Sequence, residues 1–155
     1  MPQFVCAENG EEIAVVRVLM REYQRMLGID LCFQGFEAEL DALPGAYAPP
    51  SGRLLLATDE HGTPLGCIAL QRVNDARAEM KRLYVPPRAR GLGVGRELVV
   101  RILDEARAIG YAEVVLDTLP IMVEAQRLYE QLGFRDIEPY RLNPIAGARY
   151  LGRTL

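Results

Sequence analysis

The sequence predicts one α/β (α+β) domain built on a mixed, mostly antiparallel sheet of about seven strands with a central parallel β-α-β crossover. Three observations predict it. Apolar residues first recur at helical spacing, then change after residue 50 to strand-like runs divided by turn signals. A strand–helix–strand unit at 79–85, 95–109 and 112–118 has the length of a right-handed crossover between parallel strands. The chain has 155 residues, half apolar and a quarter charged, which suits a single domain, 1–155, that buries its core without metals or cross-links.

Each element has its own signal. Phe4-Val5-Cys6-Ala7 is a short apolar opening strand. From Glu11, residues Ile13, Val16, Leu19, Met20, Tyr23, Met26 and Leu27 line one side of a helix that Gly28 closes. A second helix is expected over 33–43, closed by Pro44-Gly45. The runs 53–58 and 64–73 flank Asp59-Glu60-His61-Gly62 as a hairpin. After the turn at Asn74-Asp75, the run 79–85 ends against Pro86-Pro87, because proline donates nothing to a ladder. Alternation in that strand gives Glu79, Lys81, Leu83 and Val85 one face, and Met80, Arg82 and Tyr84 the other.

The next helix is the most regular. Leu98, Val99, Ile102, Leu103, Ala106 and Ile109 form one stripe, closed by Gly110. Val114-Val115-Leu116 centres a strand over 113–118. Ala125, Leu128, Tyr129 and Leu132 share one face of a shorter helix ending at Gly133. The segments 134–140 and 148–155 read as a last hairpin around Asn143-Pro144 and Gly147.

The net charge of −3 argues against a general nucleic-acid or membrane-surface binder. Residues 1–60 carry ten acidic and four basic side chains (4 − 10 = −6), whereas residues 79–107 carry seven basic and four acidic (7 − 4 = +3). A basic middle suits an anionic cofactor, and the acidic first part hints at a cationic substrate or is a solvated surface. Cys6, Cys32 and Cys67 lack the spacing of a disulfide framework or zinc site, and His61 is the only histidine, in a turn. No metal is expected. No apolar run approaches the roughly 18 residues that span a bilayer, and no signal-peptide pattern opens the chain, so a cytoplasmic protein is expected.

The chemistry concentrates in Arg90-Gly91-Leu92-Gly93-Val94-Gly95, a glycine-rich turn between a strand and the longest stripe. The first turn of a helix has unpaired N–H donors, and its dipole adds about half a positive charge. Gly91, Gly93 and Gly95 allow close approach and positive φ, while Arg88, Arg90 and Arg96 supply charge. A Walker loop would need Gly-Lys-Ser/Thr where Gly95-Arg96-Glu97 stands, and the dinucleotide pattern loses its third glycine to Arg96.

The pattern that fits is Arg-x-x-Gly-x-Gly, and it resembles the acetyl-CoA signature of the GNAT superfamily of N-acetyltransferases. Glu79-Met80-Lys81-Arg82-Leu83-Tyr84-Val85 resembles that family's central strand, and Leu128-Tyr129-Glu130-Gln131-Leu132-Gly133-Phe134 its later helix-to-strand turn. The order of elements matches along essentially the whole chain. The resemblance implies helices on both faces of the sheet and acetyl-CoA as co-substrate, with its pyrophosphate on Arg88, Arg90, Gly91, Leu92, Gly93, Val94, Gly95 and Arg96. It also implies that the thioester carbonyl meets backbone N–H groups around Leu83, Tyr84 and Val85, and that pantetheine lies in a gap between the central strand and 113–118. Tyr129 matches the tyrosine that returns a proton to the thiolate, and otherwise belongs to the apolar stripe. Glu79 and Asp117 are the alternatives for the base or for holding the substrate's ammonium. Where many members carry a cofactor-contacting asparagine stands Met122, so Pro120 is expected to set the start of that helix.

The implied reaction is direct attack of a primary amine on the thioester through a tetrahedral intermediate. A free amine is a minority species at neutral pH, so a base or a water leading to one is needed. A small-molecule acceptor is expected, with no nucleic-acid or membrane partner, and a homodimer is compatible with it. The alternatives are a non-catalytic acyl-CoA-binding module and an enzyme acting on protein N-termini or lysines. The acceptor pocket is expected between residues 28–50 and 140–148, with Phe33, Phe36, Tyr47, Tyr140 and Asn143 as candidate lining.

Overall fold

The structure is a computed structural model that describes residues 1–28 and 35–155. Strand β1 (Gln3–Cys6) leads to helix α1 (Gly10–Leu27), and α2 (Phe36–Ala42) follows. Three long strands come next: β2 (Arg53–Thr58), β3 (Pro64–Arg72) and β4 (Arg77–Tyr84). Helix α3 (Val94–Ile109) crosses to β5 (Glu113–Thr118), and α4 (Val123–Gln131), β6 (Arg135–Asp136) and β7 (Arg149–Thr154) complete the chain. The seven strands form one sheet in the order β1-β2-β3-β4-β5-β7-β6. Among the described residues only the β4–β5 pair is parallel, as the crossover requires.

Each face of the sheet carries a core. On one side Leu55, Ala57, Ile68, Leu70, Ala78 and Met80 pack against the α3 stripe and α4. On the other, Leu54, Leu56, Cys67 and Ala69 pack against α1 and α2. Alternate residues of β2 and β3 therefore face two helical layers, which is why both strands read as unbroken apolar runs. In α3 Leu98, Val99, Ile102 and Ala106 are fully buried. At about 1.5–3 kcal/mol per large buried side chain, this packing outweighs intrinsic propensity in fixing the helix. Helix α1 begins in a capping box: Asn9 Oδ1 accepts from Glu12 N at 2.8 Å, and the Glu12 carboxylate accepts from Asn9 N at 3.3 Å.

Four sequence expectations are corrected. Strand β4 begins at Arg77, because Asn74 Oδ1 accepts from Ala76 N and Arg77 N and tightens the preceding turn. The face assignment of its second half also fails. Ala69 pairs with Lys81 but Cys67 with Tyr84, so β4 holds one extra residue, and Arg82 takes φ 60°. Beyond this bulge the alternation inverts, leaving Leu83 and Val85 with Met80 on the α3 side and Tyr84 on the α1 side. The expected strand 134–140 shrinks to two residues, and the chain then leaves the sheet past Pro139 and Pro144. Pro120 does not open α4; it lies inside the turn closed by Met122 N donating to Leu119 O at 2.9 Å, and the helix starts at Val123. Within the expected second helix, α2 covers Phe36–Ala42, whereas Phe33 lies outside the described residues.

Candidate active site

The loop between β4 and α3 is closed by Arg90, whose Nε donates to Val85 O at 3.2 Å. Gly91 and Gly93 have φ 84° and 75°, the left-handed region that side chains resist. Nothing lies within 4 Å of a Cβ built on either residue, so these glycines serve backbone shape beside open space. Gly93 caps α3 with no side-chain hydrogen bond, so the first-turn N–H groups of α3 keep no capping partner. Gly95 lies within the helix, where a Cβ would come 3.5 Å from Val85 and 3.8 Å from Leu128.

Next to the loop the sheet opens. The β4–β5 ladder runs only from Arg77–Glu113 to Glu79–Val115, although both strands continue. Past Glu79, the β4 backbone groups on the β5 side have no ladder partner among the described residues. The bulge at Arg82 lies in this stretch. Its left-handed φ costs of order 1–3 kcal/mol and persists because the side chain is locked. Arg82 Nε and Nη2 donate to the two oxygens of Glu39 at 2.9 and 2.8 Å, and the guanidinium lies 5.0 Å from the centre of the Phe36 ring.

Gap and loop open into a single cavity of about 710 Å³. Its walls include Lys81 to Tyr84 from β4 with Val85 just beyond, Gly91, Gly93 and Gly95 at the loop, Leu116 and Asp117 from β5, and Tyr129 from α4. Tyr129 is 6% exposed, with its ring 5.7 Å from that of Phe134. Its hydroxyl donates no hydrogen bond to any described residue, an unusual state for a buried tyrosine. Burial pushes its acidity down, raising the pKa well above the ordinary phenol value, so the hydroxyl keeps its proton at neutral pH.

The two candidate carboxylates differ in access. Glu79 is 2% exposed and already engaged: it accepts from Gln71 Nε2 at 2.7 Å and Tyr140 Oη at 2.6 Å, and pairs with Arg141 Nη2 at 2.8 Å. Asp117 stands on the cavity wall, with Oδ1 accepting from Arg141 Nη2 and Oδ2 from Asn143 Nδ2, both at 2.9 Å. The excursion between β6 and β7 thus brings Tyr140, Arg141 and Asn143 onto the surface of β4 and β5. Nothing in the sequence marks Arg141, because its contacts come from a segment of irregular backbone.

Several expected residues lie elsewhere. Arg88 turns away from the loop, with Nη1 donating to Glu22 at 3.4 Å and Nη2 to Pro64 O at 3.5 Å. Leu92 is 60% exposed, and Arg96 stands in the first turn of α3 outside the cavity lining. Phe36 and Tyr47 are core residues of the α1 side, and Tyr140 sits on Glu79; of the acceptor candidates described, Asn143 alone lines the cavity. Glu37 pairs with Arg21 inside the first sixty residues, while Glu22 and Glu39 meet Arg88 and Arg82 from later in the chain, which offsets two of the six excess negative charges there. Lys81 lines the cavity, and the sequence motifs assign it no role although it lies in the central-strand segment, two residues after Glu79. No His, Cys, Asp and Glu cluster among the described residues is placed to hold a metal ion, and none of their helices is long and apolar enough to cross a membrane.

Comparison with known proteins agrees with this fold. The model of the acetyltransferase (GNAT) family matches residues 14–134. An uncharacterized N-acetyltransferase of Schizosaccharomyces pombe is 44% identical over 136 residues, covering 87% of this chain and 83% of the relative. The IAA acetyltransferase of Azospirillum brasilense is 36% identical over 143 residues, covering 90% of each. The crystal structure of an acetyltransferase from Streptococcus agalactiae superposes with a TM-score of 0.83 at 25% identity, covering 99% of this chain and 98% of the other.

Proposed function

The chain belongs to the GNAT acetyltransferase family, and on that footing we propose that it transfers the acetyl group of acetyl-CoA to the primary amine of a small molecule. One observation carries this reading: the glycine loop at the N-terminus of α3, the opened β4–β5 gap and the Tyr129 hydroxyl, unpartnered among the described residues, share one cavity. Each of the three suits a different part of the co-substrate. Free N–H groups at a helix start suit a pyrophosphate, an unpaired strand edge suits an amide-bearing arm, and a neutral buried phenol suits a departing thiolate.

The thioester supplies the activated acyl group; the chain supplies position and protons. Backbone N–H groups of Leu83 to Val85, beyond the bulge, would stabilise charge developing on the carbonyl oxygen. Asp117, on the cavity wall, would receive the amine's proton directly or through a water. Glu79 lies behind Arg141 and would act through it, holding that corner negative. Tyr129 would give its proton to the coenzyme A sulfur and be reset by solvent.

The test is release of coenzyme A thiol from acetyl-CoA over a panel of small amines. Amine-dependent release with formation of the N-acetyl product is expected. Tight acetyl-CoA binding with no amine-dependent release would make the chain a binding module instead, and turnover confined to peptide N-termini or lysines would move the acceptor to proteins.

A further inference from the structure

The carboxylates that β4 and β5 bring to the cavity are paired, but unevenly, while Glu124 of α4 lines it on the other side with no ion-pair partner among the described residues. Glu39 and Arg82 form a closed pair, with both oxygens and two guanidinium nitrogens engaged. Glu79 and Asp117 share a single cation, Arg141. Two acids on one base leave that corner one negative charge in excess. Lys81, on the same face of β4, is the counterpart: among the described residues it has no carboxylate within ion-pair distance and donates no hydrogen bond. It is nonetheless largely buried and lines the cavity. A partly buried ammonium with no partner is costly, and such charges are normally matched by something.

The cavity wall beyond the cofactor loop is therefore dipolar, negative at Asp117 and positive at Lys81. We propose that the acceptor is a zwitterionic amino acid, whose ammonium faces Asp117 and whose carboxylate pairs with Lys81. This rests on the N-acetyltransferase reading and specifies its acceptor. The proton balance agrees: the ammonium gives its proton toward Asp117, the free amine attacks, and Lys81 keeps its own proton and only holds the carboxylate. A simple cationic amine would leave Lys81 unmatched and add a second positive charge beside it, so the cationic acceptor hinted at by the acidic N-terminal composition is disfavoured. Burial and the neighbouring Arg82 pull the Lys81 ammonium down to about 8, opposed by Glu79 and Glu39, so it remains mostly charged at neutral pH and a bound carboxylate would restore it further.

Matched acceptor pairs test this: α-, β- and γ-amino acids against the amines that lack only the carboxylate, scored by thiol release with acetyl-CoA. The carboxylated member of at least one pair should be favoured about tenfold or more in kcat/KM. Lys81→Met should raise its KM about 10- to 100-fold and bring the ratio within the pair near one, while Lys81→Arg restores most of the preference and the KM for acetyl-CoA serves as the reference. Preference for the carboxylate-free amines, or an unchanged ratio in Lys81→Met, would overturn the assignment. Calorimetry of the same amino acids with the protein–coenzyme A complex separates this inference from the broader reading. No turnover of any amine, with amino-acid binding lost in Lys81→Met, would sink the enzyme and keep the anion site; binding that ignores Lys81 would sink the site.

Discussion

Tyr129 is the residue whose surroundings say most about its role. Its ring packs in the core, yet the phenol is buried, neutral and without a hydrogen-bond partner among the described residues, which suits the proton donor proposed above. Tyr129→Phe should lower kcat about 100-fold with little change in the KM for acetyl-CoA, measured by steady-state thiol release; an unchanged kcat would return Tyr129 to packing. The carboxylates separate by access. Asp117→Asn should lower kcat by a similar factor of about 100, whereas Glu79→Gln should lower it far less, both read by steady-state thiol release. Lys81 gives a third measurement, with a definite sign. Its folded value lies below that of a free lysine, so its charge is complete well below pH 8 and is lost as pH rises through about 8. An N-acetylated amino acid has no amine of its own to titrate, and its affinity should fall by up to about tenfold per pH unit above that point, with Glu79, Asp117, Glu39, Glu124, Arg82, Arg90 and Arg141 as the other charges facing the site.

Two elements set the site, and they were unequally legible. The loop before α3 was readable because glycine is the residue for left-handed turns, and Gly91 and Gly93 take that conformation. A Cβ on Gly93 would meet open space, so Gly93→Ala should cost only the backbone strain, about 1 kcal/mol, or roughly 3 °C in Tm for a domain of this size. Gly93→Asp adds a negative charge where the pyrophosphate is proposed, and should weaken coenzyme A binding about 100-fold, read by calorimetry. The bulge in β4 was invisible, since its left-handed residue is an arginine held by tertiary contacts with Glu39 and Phe36. Period-two reasoning therefore misplaced Leu83, Val85 and Tyr84. Arg82→Met should leave Glu39 buried without its partner and destabilise the fold by about 3 kcal/mol in denaturant titration.

At the scale of the molecule, function follows from a sheet that is paired along most of its length and opened at one place. The succession of elements along the chain and the parallel crossover could be read from spacing, because each helix stripe and each strand run must bury its own apolar face, whereas helices on both faces were implied by the family resemblance. The Arg141–Asp117–Glu79 corner could not, because it depends on how 137–148 folds back over strands distant in sequence. The central claim is that the β4–β5 gap, the α3 N-terminus and Tyr129 form one coenzyme A site. A crystal structure of the coenzyme A complex tests it most directly. Density is expected with the pyrophosphate on the backbone N–H groups of Gly91 to Arg96, the pantetheine arm beside β4 past Glu79, and the sulfur within hydrogen-bond reach of the Tyr129 hydroxyl. A cofactor bound outside the gap, or a sulfur remote from Tyr129, would contradict it.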